Sequence, residues 1–189
     1  MAESEPAPGQ RPLEVLRSRR VYDGKLFQVD VEDVRLPSGR ESVREIVRHP
    51  GAVALVVVDP DGKLLLVRQY RRPIDRQLLE IPAGTREAGE DAETCARRET
   101  QEETGYQAAR VERLGGFYSA PGFCTELLDC YLCTDLSDSD LRPEEDEDLS
   151  LERMSVAEAW QAAARGEITD AKTLAALLLY AAHKNAVPV

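Results

Sequence analysis

Glu99, Glu102 and Glu103 are the residues of this sequence most able to do chemistry. In a helix they stand at i, i+3 and i+4, so their carboxylates converge on one face. A helical stretch from Asp91 to about Thr104, stopped by Gly105, would carry them at its carboxyl end. There the cluster is unfavourable by itself, because like charges repel and anions oppose the helix dipole. The plain alternative is a solvated acidic face. Against it, Ala92, Cys95 and Ala96 share the same angular stripe one or two turns earlier, which turns this face inward against a sheet. Inward carboxylates need cations, and an all-oxygen set suits magnesium or manganese. Divalent ions beside a glycine loop such as Pro82-Ala-Gly84 suit hydrolysis of a phosphoanhydride, with no serine or cysteine nucleophile required.

The elements that must position these residues can be read from the apolar pattern. Residues 1–12 are rich in Pro, Glu and small residues and are expected to be a disordered tail. Residues 13–49 predict a small lobe of three antiparallel strands, Val15–Tyr22, Leu26–Leu36 and Glu41–Arg48, too lean in large apolar residues to stand alone. Residues 50–189 form the main domain. There the apolar run Gly51-Ala-Val-Ala-Leu-Val-Val-Val58 turns at Pro60-Asp-Gly62 into a hairpin with Lys63–Arg68. Further strands are expected at about Arg110–Tyr118, Glu126–Thr134 and Leu149–Met154, with an acidic loop over Asp135–Asp148. Ser155-Val-Ala-Glu158 is a capping box for a helix to about Arg165, and Asp170 can cap another ending near Lys184. The order implies an α/β fold of the α+β type, a mixed sheet flanked by helices.

Bulk charge narrows the partners. With 24 Lys and Arg against 35 Asp and Glu, the chain of 189 residues carries a formal charge of −11. That field repels polyanions, and the basic stretches Arg17–Arg20 and Arg68–Arg72 are short and interrupted, so neither nucleic acid nor an anionic membrane is an expected partner. No apolar run reaches the ~20 residues of a membrane span, and the amino terminus lacks a signal core, which points to a cytoplasmic protein. Cys130 and Cys133 invite a zinc or redox reading. They lie on a predicted strand, however, where a separation of three sends the thiols to opposite faces.

Gly84, Glu90, Arg98-Glu99, Gln101, Glu102-Glu103, Thr104, Gly105 and Tyr106 together resemble the Nudix box, matching it at every glycine, glutamate and arginine position. Thr100 departs from it, standing where the family usually has an aliphatic residue. The resemblance implies that Glu99 and Glu103 are the main metal ligands, Glu102 a further ligand or outer-shell partner, and the carbonyl of Ala83 a possible fourth donor. Glu90 and Arg98 look like the family's structural pair. By the same likeness the water's proton would go to a glutamate on a loop after the box, Glu147 first and Glu145 second.

The ADP-ribose pyrophosphatase branch is resembled more specifically, through the amino-terminal lobe, Arg68-Gln-Tyr-Arg71, Leu79-Glu-Ile-Pro-Ala-Gly84, and Pro121 placed 15 residues beyond Tyr106. That likeness implies that Arg71 binds a substrate phosphate, that Glu80 and the loop carrying Pro121 and Gly122 line the ribose side, and that the protein is a homodimer. Phe27 and Tyr22 could stack on a base or belong to the core. The activity implied is Mg2+-dependent cleavage of ADP-ribose to AMP and ribose 5-phosphate, with Mn2+ as substitute. Rival readings are hydrolysis of GDP-mannose, a dinucleotide or an oxidised nucleoside triphosphate, and a nucleotide sensor without catalysis.

Overall fold

A computed structural model describes residues 13–139 and 149–185. The tail over residues 1–12 and most of the acidic loop, with Glu145 and Glu147, lie outside them. The chain divides into two units: the residues up to His49 together with Ala120–Glu126, and Pro50–Ser119 together with the residues from Leu127 onward.

In the first unit, β1 (Glu14–Asp23), β2 (Gln28–Arg35) and β3 (Glu41–Arg48) form an antiparallel sheet in the order β1-β2-β3. Its inner face is polar as well as apolar: Asp30 and Glu32 are buried beside Val34. Arg48 donates to both carboxylates, at 3.0 and 2.7 Å, and Arg20 donates to Asp30 at 2.9 Å. Ala120–Glu126 docks on β3 through Val47 N–H to Phe123 carbonyl, 2.8 Å, and Thr125 N–H to Val47 carbonyl, 2.9 Å. Every residue of β1 is exposed. Tyr22 is exposed too and tilts against half-buried Phe27, with ring centroids 5.5 Å apart.

The second unit is built on a mixed sheet of β4 (Ala52–Val58), β5 (Leu64–Arg71), β6 (Arg76–Glu80), β7 (Ala83–Thr85), β8 (Tyr106–Tyr118), β9 (Leu127–Asp138) and β10 (Leu149–Met154). The central order is β10-β5-β4-β9-β8, with β6 beside β5 and β7 beside β4; only β4 and β9 run parallel. The fold class expected from the sequence, a mixed sheet flanked by helices together with a separate three-stranded antiparallel sheet, is the one observed. Its central strand β4 is almost continuously buried, as its unbroken apolar run requires. On one face Val53, Leu55 and Val57 pack with Cys95 and Ala96 of α1 (Ala92–Thr104); on the other, Ala54 and Val56 pack with Ala159 and Ala162 of α2 (Val156–Ala164) and Ala176, Leu177 and Tyr180 of α3 (Ala171–His183). Cys130 joins one of these clusters and Cys133 the other, so the two thiols do face opposite ways.

Two sequence expectations need correction. Asp135–Asp138 is strand and not loop, because β9 continues against the start of β8 through the pairs Ala108↔Leu136, Gln107↔Ser137 and Tyr106↔Asp138. The hairpin after Val58 is also brief. β4 and β5 pair only at Val57↔Leu65 and Val58↔Leu64 before β5 turns to β6 and β10, which leaves β4 free to pair with β7.

Candidate active site

The site is organised by α1 and the loop before it. Asp91 caps the helix by accepting from the Glu93 and Thr94 N–H groups, at 3.0 and 3.1 Å. Gly105 ends it in the left-handed region, φ 73°, with its N–H on the Gln101 carbonyl at 2.9 Å. Thr100 is fully buried between these caps. Its hydroxyl donates to the Ala96 carbonyl at 2.6 Å, which disposes of the polar group where an aliphatic residue is usual.

Glu99 and Glu103 are 9% and 7% exposed, so the inward direction read from the apolar stripe holds. Both carboxylates lie on the backbone of β7. Glu103 accepts from the Ala83 N–H at 3.0 Å. Glu99 lies so close to Gly84 that a Cβ there would stand 1.7 Å from its carboxyl carbon. Glu102, on the same side, is half-buried.

Arg98 supplies positive charge to this group. Through Nη1 it donates to Glu99 at 2.7 Å and Glu102 at 2.8 Å; through Nε and Nη2 it grips both oxygens of Glu90 at 3.0 Å. Glu90 in turn accepts from the Glu87 N–H and offers its carbonyl to Arg86, at 3.0 and 2.8 Å, which folds the polar loop onto the helix. The hydrogen bonds from Arg98 hold the Glu90 carboxyl down to about 2, against an ordinary 4.5.

A carboxyl depressed on folding stabilises fully above its unfolded pKa and stops doing so as the pH falls through the folded one. The melting temperature of the wild type should therefore fall steeply from about pH 4.5 towards about pH 2, while Glu90→Gln starts lower and converges with it in acid. Parallel melting curves would remove this pair from the acid response.

A second charged group is built from β5, β6 and α3. Glu80 is 1% exposed, and Arg71 holds it side-on, Nε to Oε1 at 2.9 Å and Nη2 to Oε2 at 2.7 Å. Lys172 of α3 also donates to Glu80, and to Asp170 at 3.0 Å. The guanidinium of Arg71 is raised by Glu80 first and, through space, by the charges of Glu103 and Asp170, which places it within electrostatic reach of α1. Lys172 escaped the sequence reading. Its signal was a charged residue four positions before Ala176, on the stripe Thr173, Ala176, Leu177 and Tyr180 that α3 buries.

The remaining candidates lie in the first unit. Pro121 and Gly122 line a cleft of about 290 Å³ with Glu32, Arg44, Arg48 and Phe123, and Phe27 stands beside Tyr22 outside that lining.

Among the described residues no three acidic, histidine or cysteine side chains already form a coordination cluster. The donors nonetheless fit a hard divalent cation. They are all oxygens, two are nearly buried on a helix, and Gly84 leaves open the space that lets Glu99 reach the loop.

A glycine loop, a short strand and a carboxylate-bearing helix on a mixed sheet define a class. The NUDIX domain matches residues 47–177, and the chain belongs to that family, whose hydrolases generally use divalent metal ions. More particularly, residues 14–47 match the nucleoside diphosphate sugar hydrolase N-terminal domain. The chain is 42% identical to an ADP-ribose pyrophosphatase of Bacillus subtilis (strain 168), over 86% of this chain and 89% of the relative. It is 37% identical to an ADP-ribose pyrophosphatase of Mycobacterium tuberculosis, over 89% and 83%. A crystal structure of an ADP compounds hydrolase shares the fold, with a TM-score of 0.81 over 94% of this chain and 98% of that one, at 24% identity. The resemblance read from the Nudix box and its flanking motifs is borne out.

Proposed function

We propose that this protein hydrolyses the pyrophosphate of ADP-ribose, giving AMP and ribose 5-phosphate, with Mg2+ as its working cation and Mn2+ as a substitute. The observation that carries this reading is the seating of Glu99 and Glu103 on the Ala83–Gly84 backbone, in a chain whose first strands match a nucleoside diphosphate sugar hydrolase domain. Glu99, Glu103, Glu102 and the Ala83 carbonyl would hold the cation. What it supplies when bound is neutralisation of the phosphates and a lower pKa for a coordinated water.

The other roles fall to the chain's own side chains. Arg71 binds a phosphate; Glu80, expected from the resemblance to line the ribose side, is buried with both oxygens engaged and in this reading serves the substrate through Arg71 instead. Glu147, with Glu145 as second choice, takes the proton of the attacking water. Pro121, Gly122 and Phe27 contribute to the nucleoside side in a homodimer formed through the first unit, whose strand β1 presents Val15, Leu16, Val21 and Tyr22 to solvent. Four free cysteines agree with a cytoplasmic setting, and among the described residues no helix is long and apolar enough to cross a membrane.

The test is release of AMP and ribose 5-phosphate from ADP-ribose with Mg2+, with GDP-mannose and a nucleoside triphosphate alongside. Preference for ADP-ribose is the expected result. Turnover of another compound keeps the chemistry and discards the substrate. Nucleotide binding without any turnover replaces the enzyme with a sensor.

A further inference from the structure

The amino-terminal turn of α3 is tied to the strand that leads into the site. Asp170 caps it, accepting from the Thr173 N–H at 2.9 Å and the Thr173 hydroxyl at 2.6 Å. That same hydroxyl oxygen, fully buried, accepts from the Ile81 N–H at 2.9 Å. Ile81 follows Glu80 directly, so the turn that presents Lys172 is locked in register with the carboxylate it meets.

From this arrangement we infer that Lys172 is a positioning residue for substrate binding, acting through Glu80 on Arg71. The inference rests on the phosphate-binding role given to Arg71 above. Two features of the cluster carry it.

The first is orientation. Glu80 binds one edge of the Arg71 guanidinium, Nε and Nη2, and among the described residues Nη1 makes no hydrogen bond. A carboxylate buried this deeply is immobile only if its oxygens are satisfied, and Lys172 completes that set with a side chain itself only 13% exposed. The guanidinium, whose side chain is 38% exposed, is thereby fixed along one edge and open along the other.

The second is charge. Arg71 and Lys172 balance Glu80 and Asp170, so the cluster is neutral and the guanidinium can offer its charge outward. Without Lys172 two carboxylates would face one cation, and the charge that Arg71 offers to a substrate phosphate would be offset by its own neighbours. Lys172 supplies one positive charge to Glu80 and Asp170 and leaves the Nε–Nη2 edge of Arg71 on both Glu80 oxygens.

The experiment compares Lys172→Met, Lys172→Arg, Arg71→Ala and the double variant Arg71→Ala/Lys172→Met. It measures kcat, KM, melting temperature, and calorimetric affinity for ADP-ribose in the presence of a metal chelator. Lys172→Met should raise KM and weaken metal-free binding by about tenfold, the range of one charge-assisted contact, with kcat within about threefold. Lys172→Arg should recover most of the loss. The double variant should be no worse than Arg71→Ala, because both changes act through one side chain.

An unchanged KM with a lowered melting temperature overturns the inference in favour of a structural role, and additive losses overturn the route through Arg71. Asp170→Asn provides a variant that keeps the helix cap and shifts the cluster charge the other way. It should tighten binding of ADP-ribose by about two- to threefold, and unchanged or weaker binding counts against the inference. If the wild type prefers GDP-mannose, the same comparison is run on that compound, so a wrong substrate is told apart from a wrong role for Lys172. A wild type that neither hydrolyses nor binds any of these compounds removes both.

Discussion

Glu103→Gln should reduce kcat for ADP-ribose by about a thousandfold, roughly 4 kcal/mol of transition-state stabilisation, while the protein still folds. Glutamine keeps the volume of the side chain and an oxygen that can accept from the Ala83 N–H, the contact that seats Glu103 on β7. What it removes is the charge, and a hard cation depends on that charge far more than the fold does. Circular dichroism and the melting temperature should stay close to the wild type, and the Mg2+ concentration needed for half-maximal activity should rise. Retention of more than a tenth of the wild-type kcat would take Glu103 out of the metal site.

Gly84→Ala should cost about a hundredfold in kcat by a different route. The new methyl would lie 1.7 Å from the Glu99 carboxyl carbon and 1.9 and 2.3 Å from its oxygens, well inside contact distance. Glu99 must then leave its seat. Gly84 does not occupy the left-handed region, so backbone strain is not the cause; the requirement is close approach. Because the clashing atoms belong to the far end of a flexible side chain, the fold should survive with a melting temperature lower by a few degrees. A variant that retains wild-type activity and Mg2+ dependence would show that Glu99 does not need that position.

Much of this site was legible before the structure. The spacing of Glu99, Glu102 and Glu103, the stripe of Ala92, Cys95 and Ala96, and the stop at Gly105 are local signals, and helices are specified mostly by local signals. The strands Glu41–Arg48 and Leu149–Met154 were equally plain from their alternation and flanking turns.

What escaped depends on distant partners. Ala83–Thr85 is too short to show a period and becomes a strand only because β4 has an edge to pair. Asp135–Asp138 looks like a loop by composition, yet the ladder to β8 overrides composition. Ala120–Glu126 joins the first unit through hydrogen bonds to Val47, more than seventy residues earlier in the chain. Lys172 finds Glu80 from 92 positions away. No window of sequence holds both members of such a pair.

The burial of the cysteines decides how this protein meets sulfur reagents. Burial pushes the Cys95 and Cys130 thiols up to about 12 and Cys133 up to about 11, so thiolate is scarce at all three. Each is also shut away in the second unit's interior. Cys124 alone is partly open to solvent. For alkylation, spin labelling or fluorophore attachment the chain therefore counts as a single-cysteine protein, with its one reporter already standing on the segment that carries Pro121 and Gly122.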